Sequence, residues 1–212
     1  MNKLPSALIV IDMQRDFLDA GGYAATAGMD VSALRRPLPS IRMLLDQARR
    51  SGMLVVHTRE GHRADLSDCL PAKLARSRQA GAEIGSQGPL GRLLVRGEYG
   101  HDFIDELQPL TGEPLVDKPG YGAFHQTDLA QILAARGISR LYICGVTTEV
   151  CVHSTLREAA DRGFECVLVA DACGSAHPKL HEAALQMVAV EGGIFGRVTD
   201  SQTVISELEA AQ

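Results

Sequence analysis

The sequence predicts an α/β fold on a mainly parallel sheet, and three observations carry that expectation. Strand-like apolar runs alternate with amphipathic helical stretches throughout the chain. The runs are apolar without alternation, as in SALIVIDM from Ser6 to Met13 and LYICGV from Leu141 to Val146, which suits strands covered on both faces. The order strand, helix, strand from Ser6 to Thr58 also fits a right-handed parallel crossover.

The first strand, Ser6 to Met13, places Asp12 at its carboxyl end. A loop with Phe17 and the pair Gly21-Gly22 leads to a helix from Leu38 to Arg50, with Ile41, Leu44, Leu45 and Ala48 on one face and Gly52 past its end. Met53 to Thr58 is the second strand. An irregular stretch follows from Arg59 to about Thr111, with one short helix near Ala72 to Gln79, and its length suggests a lid or an interface segment. Glu113 to Lys118 is a short strand ending in Lys118; a turn at Pro119 to Gly122 and a helix from Thr127 or Asp128 to Arg136 come next. Leu141 to Val146 leads through Gly145, Thr147 and Thr148 into a helix closed by Gly163, so that Cys151 falls in its first turn. A strand at Glu165 to Ala170, a helix at Pro178 to Val190, a strand at Phe195 to Thr199 and a helix at Ser201 to Ala210 complete the pattern.

Composition narrows the function. The net charge of −5, without a basic stripe interleaved with aromatics, argues against a nucleic-acid partner. The apolar run Ala7 to Ile11 is too short for a signal peptide or a membrane span, and one domain over residues 1–212 is expected. Five cysteines (Cys69, Cys144, Cys151, Cys166, Cys173), an odd count without paired spacing, suit reduced thiols in a cytoplasm; Cys144, Cys166 and Cys173 are expected in the core. His57, Glu60 and His62 invite a metal reading, but no further imidazole or thiolate follows at ligand spacing, so neither metal nor cofactor is expected.

Asp12, Lys118 and Cys151 fall at or just past the carboxyl ends of three strands, the edge where open parallel sheets bind ligands. A helix terminus and a lysine favour a thiolate, although Glu149 opposes it. A carboxylate can take the thiol proton and return it to a leaving amine, and backbone N–H groups from Thr147 to Cys151 can hold an oxyanion. That chemistry is acyl transfer to water through a thioester.

The blocks IVIDMQRDF, VDKPGYGAF and CGVTTEVCVHSTLREAADRGFECVLVADAC resemble the isochorismatase-like cysteine hydrolases over nearly the whole chain. The resemblance implies a three-layer, Rossmann-like sheet with helices on both faces and a catalytic triad of Asp12, Lys118 and Cys151. It further implies a cis peptide between Val146 and Thr147 shaping the oxyanion hole. Cys151 departs from isochorismatase proper, which lacks the nucleophile. Nicotinamidases of this superfamily bind metal through an Asp and two His after the second strand; here Glu60 and Leu66 replace two of these and only His62 matches.

HTREGHRADLSD, GPLGRLLVRGEYGHDFIDEL and the GGIFG after Glu191 look like the biuret and triuret hydrolase branch, which releases ammonia from a terminal ureide amide. The resemblance implies that Phe17 walls the pocket. Tyr121 and Glu191 stand where biuret hydrolases carry a lysine and a glutamine, and as substrate contacts they suggest the longer triuret. A homo-oligomer, tetramer or dimer, is the expected assembly, with the long segment able to complete a neighbour's pocket. Two rivals are a metal-dependent or other amidase acting on nicotinamide- or ureidoacrylate-like compounds, and a non-catalytic α/β binding protein.

Overall fold

A computed structural model describes residues 4–210 of the chain. The elements are, in order, β1 (Ser6–Ile11), α1 (Arg15–Leu18), α2 (Tyr23–Thr26), α3 (Val31–Arg35), α4 (Leu38–Arg50), β2 (Leu54–Glu60) and α5 (Pro71–Gln79). A hairpin of β3 (Gln87–Gly88) and β4 (Gly91–Arg92) and a 3-10 turn at Asp105–Leu107 precede β5 (Leu115–Lys118), α6 (Leu129–Ala135) and β6 (Arg140–Val146). One π-helical turn at Thr148–Val152 runs into α7 (His153–Asp161), followed by β7 (Glu165–Gly174), α8 (Pro178–Gly193), β8 (Arg197–Thr199) and α9 (Ser201–Ala210).

Six strands form one parallel sheet in the order β5-β2-β1-β6-β7-β8, a three-layer α/β arrangement as the apolar runs predict. β1 shows why its sequence does not alternate. Leu8 and Val10 pack into the core on one face with Leu34 of α3, Ile41 and Leu45 of α4, and Val204 and Leu208 of α9. Ala7, Ile9 and Ile11 pack into the core on the other, with Leu129 and Leu133 of α6, Leu156 of α7 and Val188 of α8. β1 is therefore buried on both sides. Among the described residues no helix is long and apolar enough to cross a membrane.

The chain moves outward from β1 to β2 and β5, then returns to lay β6 on the other side of β1. The order reverses between β1 and β6, and the crevice beyond their carboxyl ends is the natural ligand site of such a sheet. Ile11 pairs with Gly145 in this register. A Cβ built on Gly145, whose φ is +119, would stand 2.1 Å from the carbonyl oxygen of Ile11. The missing side chain is what lets the two strands approach where they deliver the site.

Several element ends differ from expectation. β1 stops at Ile11, and Asp12 turns out of the strand with φ +52. β2 runs to Glu60 because Glu60 pairs with Lys118 of β5, so the strand gains two residues from a neighbour that local sequence cannot reveal. β7 extends to Gly174 through an irregularity opposite Ile143 and Gly145. The segment from Gly61 to Pro114 is ordered over its own chain: Arg15 N–H donates to Asp102 O (2.9 Å), Asp16 N–H to Gly100 O (2.7 Å) and Ile104 N–H to Met13 O (3.1 Å). Gln14 clasps it from below, donating to Glu60 O (3.0 Å) and His101 O (2.8 Å) and accepting from Glu60 N–H (2.7 Å).

Candidate active site

Asp12, Lys118 and Cys151 come together at the β1/β6 crevice, all buried. Lys118 Nζ lies 2.8 Å from Asp12 Oδ2 and donates to Gly120 O at 3.1 Å. Thr58 Oγ1 donates to Asp12 Oδ1 at 2.6 Å, and the Asp12 N–H is held by Thr58 O at 3.1 Å, so the carboxylate has one orientation. Cys151 is seated from behind by Thr155, whose hydroxyl donates to Cys151 O (2.7 Å) and accepts from Ala123 N–H (3.0 Å). The Val146–Thr147 peptide is cis, as the resemblance implied.

A fourth residue, and a charged one, belongs here that the sequence reading set aside. Glu60 Oε2 accepts from Cys151 Sγ at 3.3 Å and from Lys118 Nζ at 3.4 Å, while Oε1 pairs with Lys73 Nζ of α5 at 2.6 Å. Its former companions lie elsewhere: His57 Nε2 meets Glu113 Oε2 (2.9 Å) and His62 Nδ1 meets Asp68 (3.2 Å). The usable signal was strand periodicity, since Thr58 and Glu60 are two apart and share a face of β2. Asp12, Glu60 and Cys151 offer ligand atoms within 4.8 Å of one another, a grouping a metal could use. The two carboxylates are instead met by the ammonium groups of Lys118 and Lys73, which already balance their charge.

The electrostatics correct one expectation. Burial drives the Cys151 thiol pKa well upward; Lys118 pulls it back, and Asp12 and Glu60 add to the rise, so the surroundings oppose the thiolate that a lysine and a helix start alone would favour. The sulfur donates to Glu60 Oε2. Glu149, which the sequence set against the thiolate, accepts from Ser175 at 2.9 Å and is not among the largest causes of the rise. Burial also raises Asp12 against the opposing pull of Lys118, which gives this carboxylate a stronger appetite for a proton. Glu60, equally buried, is pulled down to about 2 by Lys118 and Lys73. One carboxylate is tuned to accept a proton and the other to stay charged.

The expected substrate contacts divide. Phe17 on α1 is nearly buried and meets Tyr23 of α2 edge-on, with ring centroids 6.0 Å apart. Tyr23 itself was missed; burial first, then the charges of Glu60, Tyr121 and Cys151, push its hydroxyl up to about 12. Tyr121 lies under Lys73, whose Nζ is 4.9 Å from the ring centroid, beside an opening of about 290 Å³ that Arg76 and His125 also line. Glu191 is not brought to the site. Helical dihedrals end at Val190, and Glu191 sits exposed in a left-handed turn at the far end of α8. α8 starts at the sheet's carboxyl edge and runs back across it, a span of roughly 20 Å, so its two ends serve opposite edges.

A family model described as the isochorismatase domain matches residues 6–203. The chain belongs to the isochorismatase family. Among the relatives of this family member is the ureidoacrylate amidohydrolase RutB of Acinetobacter baylyi (strain ATCC 33305 / BD413 / ADP1), 33% identical over 98% of this chain and 85% of its own length. The crystal structure of a cysteine hydrolase from Pseudomonas syringae pv. phaseolicola 1448A superposes with a TM-score of 0.84 at 27% identity, covering 100% of this chain and 96% of that one. N-carbamoylsarcosine amidase from Thermoplasma acidophilum gives a TM-score of 0.71 at 25% identity, with 93% and 97% covered.

Proposed function

We propose that this family member is a cysteine amidohydrolase that cleaves the terminal amide of a small, electrically neutral ureide, triuret first and biuret second. The supporting observation is the buried meeting of a thiol, a proton-accepting carboxylate and an ammonium group at the switch point of the sheet. In this reading Cys151 Sγ attacks the terminal carbonyl as its proton passes to Asp12. The backbone N–H groups of Thr147 and Cys151 receive the oxyanion, one such donor being worth about 3–4 kcal/mol. Asp12 then protonates the departing nitrogen, ammonia leaves, and the acyl group remains as a thioester. Water deprotonated by Asp12 cleaves the thioester and restores the thiol. Lys118 holds Asp12 in place and offsets the negative charge that builds on the carboxylate and sulfur.

Charge balance supports a neutral substrate. Asp12 and Glu60 are matched by Lys118 and Lys73, which leaves the buried group without a spare cation for a substrate carboxylate. In this reading the second arm of a longer ureide reaches toward Tyr121, beside the Lys73 that pairs with Glu60, which favours triuret over biuret. With Glu191 at the far end of α8, that preference rests on Tyr121 alone.

A second reading is ureidoacrylate, the compound in the name of the Acinetobacter baylyi relative. The exposed Arg76 at the opening favours it, since a carboxylate projecting outward would meet a guanidinium there. The test is ammonia release from triuret, biuret, ureidoacrylate and nicotinamide, with Cys151→Ala alongside. The proposal requires a ureide to lead and Cys151→Ala to be inert. Preference for ureidoacrylate by more than about tenfold, or 1.4 kcal/mol of discrimination, replaces the first reading with the second.

A further inference from the structure

The site holds more charge than a nucleophile, a base and a lysine require. Glu60 and Lys73 are both nearly buried, and buried ion pairs seldom stabilise a protein relative to apolar side chains of similar size. Stability therefore gives little reason for them. Their position does: one oxygen of Glu60 touches the thiol, the other touches Lys73. Lys73 also donates to Pro119 O at 2.6 Å and stands over Tyr121, so a single ammonium group ties α5 to the turn after Lys118.

We propose that Glu60 is a substrate-binding anion, accepting hydrogen bonds from ureide N–H groups once the thiol proton has left it, and that Lys73 is its positioning residue. This rests on the ureide reading given above. In the resting site Glu60 Oε2 receives the S–H of Cys151 beside the longer contact from Lys118, and the S–H bond disappears as the proton moves to Asp12. The oxygen, still held by Lys118, then has room for one more donor from the bound substrate, where a carboxylate rewards an N–H and repels a carboxylate or carbonyl. The pair thus selects for carbamoyl nitrogen.

The groups facing Glu60 come from six places: Lys118 of β5, Asp12 after β1, Cys151 in the π-helical turn, Tyr23 of α2, Lys73 of α5, and His62 and Cys69 in the loop before α5. Lys118 and Lys73 are the cations that pull it most toward ionisation, and Lys118 is shared with Asp12.

The experiment uses Glu60→Gln, Lys73→Met and Lys73→Arg in the full chain. Glu60→Gln keeps an oxygen for Lys73 but removes the anion beside the sulfur. Iodoacetamide labelling of Cys151 at neutral pH, localised by peptide mass, is expected to accelerate at least about tenfold, because a nearby anion disfavours thiolate. With the leading ureide, KM is expected to rise about tenfold or more while kcat falls less. Lys73→Met is expected to move the acid limb of kcat/KM to higher pH, as Glu60 loses one of its two cations, and Lys73→Arg to restore it. Unchanged labelling together with unchanged KM in Glu60→Gln overturns the proposal. So does a Lys73→Met enzyme that loses rate equally at every pH. If the parent protein hydrolyses no ureide yet Glu60→Gln still labels faster, the substrate reading fails while the placement of the charge pair stands.

Discussion

Replacing Lys118 by Met tests how the buried charges hold one another. The side chain keeps its length and loses the ammonium group that lies 2.8 Å from Asp12 and 3.4 Å from Glu60. Glu60 retains Lys73, so the orphan is Asp12, fully buried and left with the Thr58 hydroxyl but no cation. Breaking a buried pair by removing one member costs about 3–5 kcal/mol. At about 2–4 °C per kcal/mol for a chain of this size, the melting temperature is expected to fall by roughly 6–20 °C near pH 8. The orphan can relieve itself by taking a proton. Asp12 is already raised by burial, and losing Lys118 raises it further, so the folded variant holds a proton that the unfolded chain has shed above about pH 3.9. More protons bound when folded means that stability falls as pH rises, by at most about 1.4 kcal/mol per unit for this one group. The deficit should therefore be full above the folded pKa and shrink toward pH 5. Thermal unfolding of parent and variant at pH 5 and pH 8 measures it. A deficit that is equal at both, or below about 1 kcal/mol, refutes the claim that Lys118 neutralises a buried aspartate.

Three further outcomes are expected. Asp12→Asn should lower kcat by about 10²–10⁴-fold with an unchanged circular dichroism spectrum, the range for loss of a general base. Thr58→Val removes a hydrogen bond that favours the ionised form of Asp12, so the acid limb of kcat/KM should move to higher pH; an unmoved limb would detach Asp12 from the proton transfer. Gly145→Ala forces a methyl group to within 2.1 Å of Ile11 O at φ +119, and should cost at least about 3 kcal/mol in urea unfolding.

The sheet and its working edge were legible because they follow from local pattern. Strand runs such as SALIVI announce burial on both faces, and a polar residue directly after such a run must sit at the carboxyl edge. Asp12 and Lys118 were found that way, and Cys151 from the turn and helix start that follow Leu141 to Val146. Glu60 was not, because its strand is prolonged by pairing with β5, far away in sequence. Lys73 lies within a segment without hydrophobic period, where the side chain that turns inward is settled by tertiary packing. The resting state of Cys151 was misread for a related reason. Helix position and a neighbouring lysine are visible in sequence, whereas complete desolvation and a second carboxylate are not. Glu191 shows the opposite error, in which motif similarity named a residue but carried no information about which end of α8 it occupies.

The segment from Gly61 to Pro114 has a consequence for how such a protein can change. Asp12, Lys118 and Cys151 rest on the ends of sheet strands, while Lys73 is lent by this one excursion, clasped by Gln14 and backbone bonds to the loop after β1. The reacting groups and Glu60 thus stand on the sheet, whereas the ammonium group that holds Glu60 comes from a separable part of the chain. Exchange of the excursion for a relative's, keeping Gln14, would change what Glu60 leans on and leave the strands, their register and the sulfur where they are.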